Sequence, residues 1–250
     1  MQSVYTAKHG LMAQQQRLNA ISSNIANSGT AGYKSQSVGF KDALYTRMID
    51  PKNVESDANL MQGSGLVLSA TRRDFTVGTP GLTSQNLDFY LEGDGFFTLS
   101  DGGGKTLYTR NGVFSASLEN GERYLAAANG YYVLDSAGGR IALPAGDFSL
   151  SVSEDGVLDL GDGKSAKLNI VTFVNKEGLF HSGESCYLAT DASGGPKESG
   201  ATVIQGCLES SNVDIGLEMT KLIRTQRAYS IAARVLSTWN EMESETNNIL

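Results

Sequence analysis

The sequence is poor in the residues on which catalytic, metal-binding and disulfide-bonded proteins depend. Its 250 residues include only two cysteines, two histidines, four prolines and one tryptophan. Two cysteines are too few for a disulfide framework, so we expect Cys186 and Cys207 to be small buried side chains in strands. Neither histidine has a second ligand nearby at metal-binding spacing. We therefore expect no metal site, no cofactor and no enzymatic activity.

Clustered positive charge and long apolar runs are also missing. The net charge is -7, and the lysines and arginines are dispersed among acidic residues. This distribution argues against nucleic acid or an anionic membrane as a partner. No run of about 18 apolar residues is present, so we expect no transmembrane segment. The first 20 residues lack the basic and then apolar order of a conventional secretory signal.

Two short runs resemble phosphate-binding loops but lack an essential glycine. They are Gly104-Lys105-Thr106 and Gly163-Lys164-Ser165, with Leu99 and Leu158 where the first glycine of the motif belongs. Each run lies between strand-like segments, whereas a phosphate loop opens a helix. Hairpin turns account for both runs.

The two ends of the chain are apolar at helical spacing. Residues 3–27 and residues 213 to about 247 contain no proline and one interior glycine each. Apolar residues recur at intervals of seven or midway between them, namely Val4, Leu11, Leu18, Ile21 and Ile25 in the first segment and Leu222, Tyr229 and Leu236 in the second. A stripe this narrow is typical of a seam between paired helices. We expect Ser211 or Asn212 to cap the second helix.

The middle of the chain reads as β structure. Residues 76–206 hold most of the 29 glycines and three of the four prolines. Asn-Gly pairs begin at residues 111, 120 and 129, and such pairs favour type I′ hairpin turns between strands. Short apolar runs separated by regular turns predict an antiparallel sandwich or barrel-like stack.

These patterns predict an α+β protein. An antiparallel, mainly-β central domain is flanked by N- and C-terminal α-helices that pair as a coiled-coil-like terminal domain. The expected divisions are an N-terminal helix at 1–34, a linker and extended arm at 35–75, a β domain at 76–206, and a C-terminal helix at 207–250.

Four motifs resemble those of bacterial flagellar rod and hook proteins. ISSNIANSGTAGYK (21–34) is similar to the family's N-terminal signature, and SSNVD (210–214) followed by LIRTQRAYSIAARVLSTWNEM (222–242) is similar to its C-terminal signature. LDFYLEGDGFF (87–97) and YTRNGVFS (108–115) resemble motifs of the rod-type β domain. The resemblance covers nearly the whole chain in order, and Gln226, Arg227, Ala228 and Tyr229 form the most specific part of the C-terminal motif.

The resemblance implies a structural subunit of the flagellar basal-body rod, which self-assembles into the rigid shaft that transmits torque from motor to hook. Its expected location is the basal body, outside the cytoplasmic membrane in the periplasm or cell-wall zone. Expected partners are copies of itself, other axial proteins of rod and hook, the flagellar type III export apparatus and basal-body ring proteins. The helical stripes, with Asn27, Gln226 and Arg227, are the expected self-assembly interface.

The segment after the first helix bears on the subtype. The arm at about residues 46–66 resembles, though it is shorter than, the insertion of the distal rod protein, which favours the distal type. A proximal rod subunit and a hook or hook-junction protein remain alternatives. A different class is a β-rich module that binds a carbohydrate or other ligand and oligomerises through helical ends. That class predicts an exposed platform of aromatic side chains.

Overall fold

The computed structural model describes residues 2–47, 61–63, 65–119, 121–144, 150–161 and 164–249. The chain forms two compact units. The helical unit comprises Met1–Ala26, Gln36–Arg73 and Asp214–Leu250, and the β unit comprises Asn27–Ser35 and Asp74–Val213. The predicted α+β class, with an antiparallel β domain and a helix at each end, is confirmed.

The helical unit contains both helices. Helix α1 spans Gln2–Ala26 and helix α2 spans Ile215–Ile249, and the two helices contact each other. The N-terminus of α2 is capped by Asp214, whose Oδ1 accepts a hydrogen bond from Leu217 N at 3.0 Å. The prediction that Ser211 or Asn212 caps α2 is therefore wrong, because Asn212 hydrogen-bonds to the backbone of residues 35 and 74 instead.

Residues 36–73 form antiparallel strand pairs in the same unit. The strands are β1 (Gln36–Asp42), β2 (Tyr45–Arg47), β3 (Met61–Gly63) and β4 (Leu66–Arg73). Strand β1 pairs with β4, with a register shift between Gly39 and Phe40 of β1. Strand β2 pairs with β3. Both β1 and β4 contact α1. Most of the arm predicted at residues 46–66 lies outside the described residues, since 48–60 and 64 are not described.

The β unit contains the remaining strands: β5 (Pro80–Leu82), β6 (Phe89–Glu92), β7 (Phe96–Ser100), β8 (Thr106–Thr109), β9 (Phe114–Glu119), β10 (Glu122–Ala127), β11 (Tyr132–Val133), β12 (Ala142–Leu143), β13 (Ser151–Val152), β14 (Val157–Asp159), β15 (Ser165–Lys167), β16 (Ile170–Thr172), β17 (Phe180–Gly183), β18 (Cys186–Leu188), β19 (Lys197–Glu198), β20 (Thr202–Gln205) and β21 (Cys207–Glu209). A short 3₁₀ turn spans Lys176–Gly178.

The largest sheet has ten strands. Its path runs β12-β10-β11-β7-β8-β18-β17, with β9 paired to β10, β16 paired to β7, and β19 paired to β16. Smaller ladders join β13 to β14 to β15, β20 to β6, and β21 to β5. The last ladder places the segment before α2 beside β5, with Cys207 opposite Leu82.

Two clusters of buried side chains form the core of the β unit. The larger cluster includes Phe89, Leu99, Leu125 and Leu158, each fully buried. Cys186 belongs to this cluster, and both cysteines are free, with Cys207 half-buried on β21. A smaller aromatic cluster holds the following residues in edge-to-face contacts: Phe75, Phe96, Tyr108, Phe173 and Tyr187.

The three Asn-Gly pairs have different roles. Asn129-Gly130 lies in the β10–β11 hairpin turn, as predicted, but Gly130 has φ +81° and Asn129 does not have a positive φ, so the turn is not the predicted type I′ turn. Strands β9 and β10 also form a hairpin, although Asn120 itself lies outside the described residues. Asn111-Gly112 makes no hairpin. A Cβ on Gly112 would lie 1.7 Å from Phe89 O, so this glycine permits a close backbone approach.

Candidate assembly interface

On α1, the side chains of the predicted apolar stripe are the ones that are covered. Ile21 is buried, and the other four positions of the stripe are half-buried: Val4, Leu11, Leu18 and Ile25. Tyr5 and Met12, which directly follow the stripe residues Val4 and Leu11, are 61% and 52% exposed. The small buried residues Ala13 and Ala20 lie outside this stripe. Ala20 lines a shallow groove together with Val38 of β1 and Leu68 of β4.

Helix α2 shows the same spacing of covered positions. The residues at steps of four and three are buried or half-buried, namely Glu218, Leu222, Thr225, Tyr229, Ala232, Leu236 and Trp239. The sequence predicted Leu222, Tyr229 and Leu236 as members of this stripe. Because this spacing averages 3.5 residues, the covered positions stay on one side of the helix along its length. We call this set of positions the α2 seam.

Three polar residues predicted at the interface, Asn27, Gln226 and Arg227, lie outside the covered positions of the two helices. Gln226 and Arg227 are exposed. The α2 seam itself includes two buried polar residues, Glu218 and Thr225, and Thr225 donates from Oγ1 to Lys221 O at 2.8 Å. Asn27 belongs to the β unit, where its backbone oxygen accepts a hydrogen bond from Thr30 N at 3.1 Å.

A buried polar contact joins α1, β1 and α2, and the sequence reasoning missed it. Asn24 is 2% exposed and exchanges two hydrogen bonds of 2.9 Å with the backbone of Gln36. Its Nδ2 also donates to Glu218 Oε2 at 3.3 Å, and Lys221 Nζ lies 2.6 Å from Glu218 Oε1. Residues 21–25 read ISSNI, so Asn24 follows two other polar residues and nothing local marks it for burial. This contact fixes the C-terminal turn of α1 against the first turns of α2.

Apolar side chains also lie on both flanks of the α2 seam. Met219 and Ile223 follow seam positions by one residue and are 51% and 52% exposed. Val235 precedes the seam residue Leu236, and Met242 lies two turns further along on the same flank; they are 55% and 57% exposed. One residue turns an α-helix by about 100°, so these two pairs face opposite sides of the seam. We call these four residues the flanking residues of α2.

The two units differ sharply in how they dispose of apolar side chains. Of 29 buried hydrophobic residues among those described, three belong to the helical unit: Ala13, Ala20 and Ile21. Of 17 exposed large hydrophobic residues, 12 belong to the helical unit. A unit with so small a core and so much exposed apolar surface is typical of a protein that buries this surface against another molecule.

The described part of the chain contains neither a helix suited to crossing a membrane nor a group of side chains suited to a metal ion. No helix in it combines the length and the hydropathy required to cross a lipid bilayer. Within the same residues, no three histidine, cysteine, aspartate or glutamate side chains are grouped to hold a metal ion.

Three family models match the chain in order. The model described as flagella basal body rod protein matches residues 4–34, and the flagellar hook protein FlgE/F/G D1 domain matches residues 90–160. The model described as flagellar basal body rod FlgEFG protein C-terminal matches residues 204–249. These matches include α1, the centre of the β unit and α2, and they define the class as axial proteins of the bacterial flagellum.

Full-length relatives define the family more narrowly. The chain is 33% identical to the flagellar basal-body rod protein FlgG of Caulobacter vibrioides, over 100% of this chain and 99% of the relative. It is 34% identical to FlgG of Agrobacterium fabrum over 98% and 97%, and 31% identical to FlgG of Bacillus subtilis over 100% and 99%. The chain therefore belongs to the flagellar basal-body rod protein family.

Proposed function

We propose that the chain is a structural subunit of the flagellar basal-body rod, of the distal type, which self-assembles through its helical unit into the rigid shaft that transmits torque from motor to hook. The observation that carries this proposal is the contrast between the units. Among the described residues, the β unit buries most of its large apolar side chains within itself, whereas the helical unit leaves 12 exposed. The full-length relatives named FlgG support the rod assignment.

Helices α1 and α2 pair as a coiled coil in the assembled rod. The heptad spacing of the covered positions on both helices supports this pairing. The flanking residues of α2 then contact helices of neighbouring copies, one neighbour on each side of the seam. Contacts between unlike surfaces of successive copies do not close on themselves and generate an open helical filament.

The helical unit folds fully only upon assembly. Ile21 is its single large apolar residue that is buried among the described residues. Isolated helices are marginal in water without an apolar face packed against a partner. An unfolded helical unit also suits export of the chain through a narrow channel and limits premature assembly in the cytoplasm.

The rest of the interface follows from the same assignment. The predicted interface residues, including Gln226 and Arg227, contact other copies, and both of these side chains are exposed. The arm at residues 46–66 reaches a neighbouring copy and fixes the geometry of the shaft. A deletion of residues 50–62 that still gives straight, rigid rods contradicts this role for the arm.

The proposed partners are copies of the chain, other rod and hook proteins, the flagellar type III export apparatus and basal-body ring proteins. The proposed location is the basal body, outside the cytoplasmic membrane. A proximal rod subunit, or a hook or hook-junction protein, is the second candidate. The chain is also similar over its whole length, at 28% identity, to the flagellar hook-basal body complex protein FlhP of Bacillus subtilis, which supports a place in that complex without selecting the subtype.

A ligand-binding β module receives less support from the placement of the aromatic side chains. The aromatic residues of β6 to β9 are buried in the core. Tyr132 is half-buried, and the Arg140 guanidinium lies 4.4 Å from the centre of its ring, so that face of the ring is covered. An exposed aromatic platform, which this alternative requires, is thus not available at Tyr132.

Circular dichroism and sedimentation of the purified chain test the proposal together. As concentration rises, helical signal should increase in step with the sedimenting fraction, because the helical unit folds as copies associate. A chain that lacks residues 2–26 should show neither change. Sedimentation of the truncated chain at the concentration of the full-length chain would contradict assembly through the helices.

A further inference from the structure

Three charged side chains are buried together in the β unit. Lys34, Arg110 and Glu209 have side chains that are 0%, 2% and 2% exposed. They come from distant parts of the sequence, at the end of the segment after α1, just after β8, and at the end of β21. None of them was singled out as an interface residue by the sequence.

The carboxylate of Glu209 is the centre of this cluster. Its Oε1 accepts hydrogen bonds from Lys34 Nζ at 2.5 Å and from Gly78 N at 2.7 Å. Its Oε2 lies 3.4 Å from Arg110 Nε. Lys34 Nζ also donates to Thr76 O at 2.6 Å.

Arg110 is held by other contacts as well. Its Nη2 donates to Gly93 O at 2.7 Å, and its guanidinium carbon lies 6.0 Å from the centre of the Phe96 ring. Two buried cations therefore share one buried carboxylate. Asp74, which is exposed, is a further acidic group close enough to influence Lys34.

The backbone around the cluster joins the segment that follows α1 to the segment that precedes α2. Gly32 N donates to Glu209 O at 2.8 Å. Ser35 N donates to Asn212 Oδ1 at 2.7 Å. Both segments belong to the β unit, so the β unit includes the points at which the chain leaves α1 and enters α2.

Two glycines restrict these segments to a single alignment. A Cβ on Gly32 would lie 2.6 Å from the backbone of Arg110, and a Cβ on Gly78 would lie 2.0 Å from Ser210 O. A shift of either segment by one residue would bring a side chain into a space that has no room for one. The same shift would take Lys34 away from the carboxylate.

A buried group of this kind is a poor source of stability. Desolvation of three charges offsets much of their mutual attraction, and apolar replacements of similar volume are often as stable. The best-attested use of buried polar groups is to select one register among several that an apolar interface would tolerate. We propose that Lys34, Arg110 and Glu209 are positioning residues that fix the register in which the segments flanking α1 and α2 dock on the β unit.

Hydrogen exchange of the full-length chain tests this proposal at three backbone amides. Gly32 N, Ser35 N and Gly78 N donate to Glu209 O, Asn212 Oδ1 and Glu209 Oε1. In Glu209→Gln, which leaves two buried cations without a carboxylate, all three amides should exchange about tenfold faster or more. The matched control is Glu198→Gln, which breaks the exposed Lys167–Glu198 pair and should leave the three amides unchanged.

A second variant separates register from stability. In Lys34→Met/Arg110→Met/Glu209→Met the cluster is apolar, so the midpoint of thermal unfolding should be equal to or above that of the wild type. Gly32 N and Ser35 N, whose acceptors Glu209 O and Asn212 Oδ1 are retained in this variant, should nevertheless exchange faster than in the wild type, because the charges no longer select one register. Wild-type exchange at these amides in the triple variant would overturn the proposal.

A single substitution decides the question if Glu209→Gln does not fold. Lys34→Met leaves Arg110 and Glu209 as a balanced pair and should fold. Faster exchange at Gly32 and Ser35 in this variant supports the positioning role, and unchanged exchange overturns it. None of these measurements requires the chain to assemble, so they stand apart from the test of rod formation.

Discussion

Replacing Val235 and Met242 by glutamine should weaken assembly without affecting the fold of the β unit. Both residues lie on one flank of the α2 seam and are 55% and 57% exposed. Glutamine has a good helix propensity, so the substitutions remove apolar surface without disfavouring α2. The β unit contains neither residue, so its unfolding midpoint should stay the same.

The size of the effect follows from the surface that these side chains still expose. Complete burial of a valine or methionine side chain is worth about 1.5–3 kcal/mol. Slightly more than half of each side chain remains to be covered, so each contributes about 1 kcal/mol when a neighbouring copy packs against it. The double variant should therefore lose about 2 kcal/mol per copy, which raises the critical concentration for assembly about 30-fold.

Sedimentation of chains at graded concentrations measures the critical concentration directly. The matched control is Leu118→Gln/Phe180→Gln, which changes two residues of the β unit that are 70% and 61% exposed. This control tests whether a general gain in solubility causes the rise in critical concentration. If it does, both double variants should raise the critical concentration equally. An unchanged critical concentration in Val235→Gln/Met242→Gln would refute the assignment of this flank to a contact between copies.

Three further predictions concern the β unit. Leu125→Ala, at a position that is 0% exposed, should lower the free energy of unfolding by about 2–5 kcal/mol in a urea titration, and a smaller loss would contradict the close packing of the core. Gly112→Ala should also destabilise the unit, because the added Cβ would meet Phe89 O, whereas Gly200→Ala has open space and serves as the control. Burial holds the pKa of Lys34 below its ordinary value of 10.5. Between the lowered pKa and 10.5 the unfolded chain binds more protons than the folded chain, so this lysine makes stability rise with pH. Lys34→Met should remove that rise in urea titrations across the window, and identical pH slopes for both proteins would contradict it.

The helices and the β architecture could be predicted because their signals are local. A seven-residue apolar repeat specifies which side of a helix is covered, whatever lies opposite. Leu222 and Leu236 are accordingly half-buried at the predicted positions. Short apolar runs between glycine-rich turns likewise predicted antiparallel strands, because turn residues constrain the backbone directly.

The strand pairing at 36–73 had no comparable signal. Strand β4 is exposed at six of its eight positions, so its sequence lacks the alternation that marks a half-buried strand.

The hairpin predicted at Asn111-Gly112 is wrong for a different reason. The pair has the composition of a hairpin turn, but its glycine is required by the close approach of a distant backbone oxygen.

The buried charges could not be predicted from the sequence either. Lys34, Arg110 and Glu209 are separated by about 75 residues or more, and nothing near each one indicates that it is buried. Lysine, arginine and glutamate are usually exposed, so a sequence argument places all three at the surface. Only the fold of the β unit brings them together.

Negative-stain electron microscopy of the concentrated chain tests the central claim most directly. The comparison is between the full-length chain and a chain lacking residues 2–26, which correspond to all of α1 after Met1. We expect straight tubes from the full-length chain and separate particles from the truncated chain. Straight tubes from both chains would contradict assembly through the helical ends.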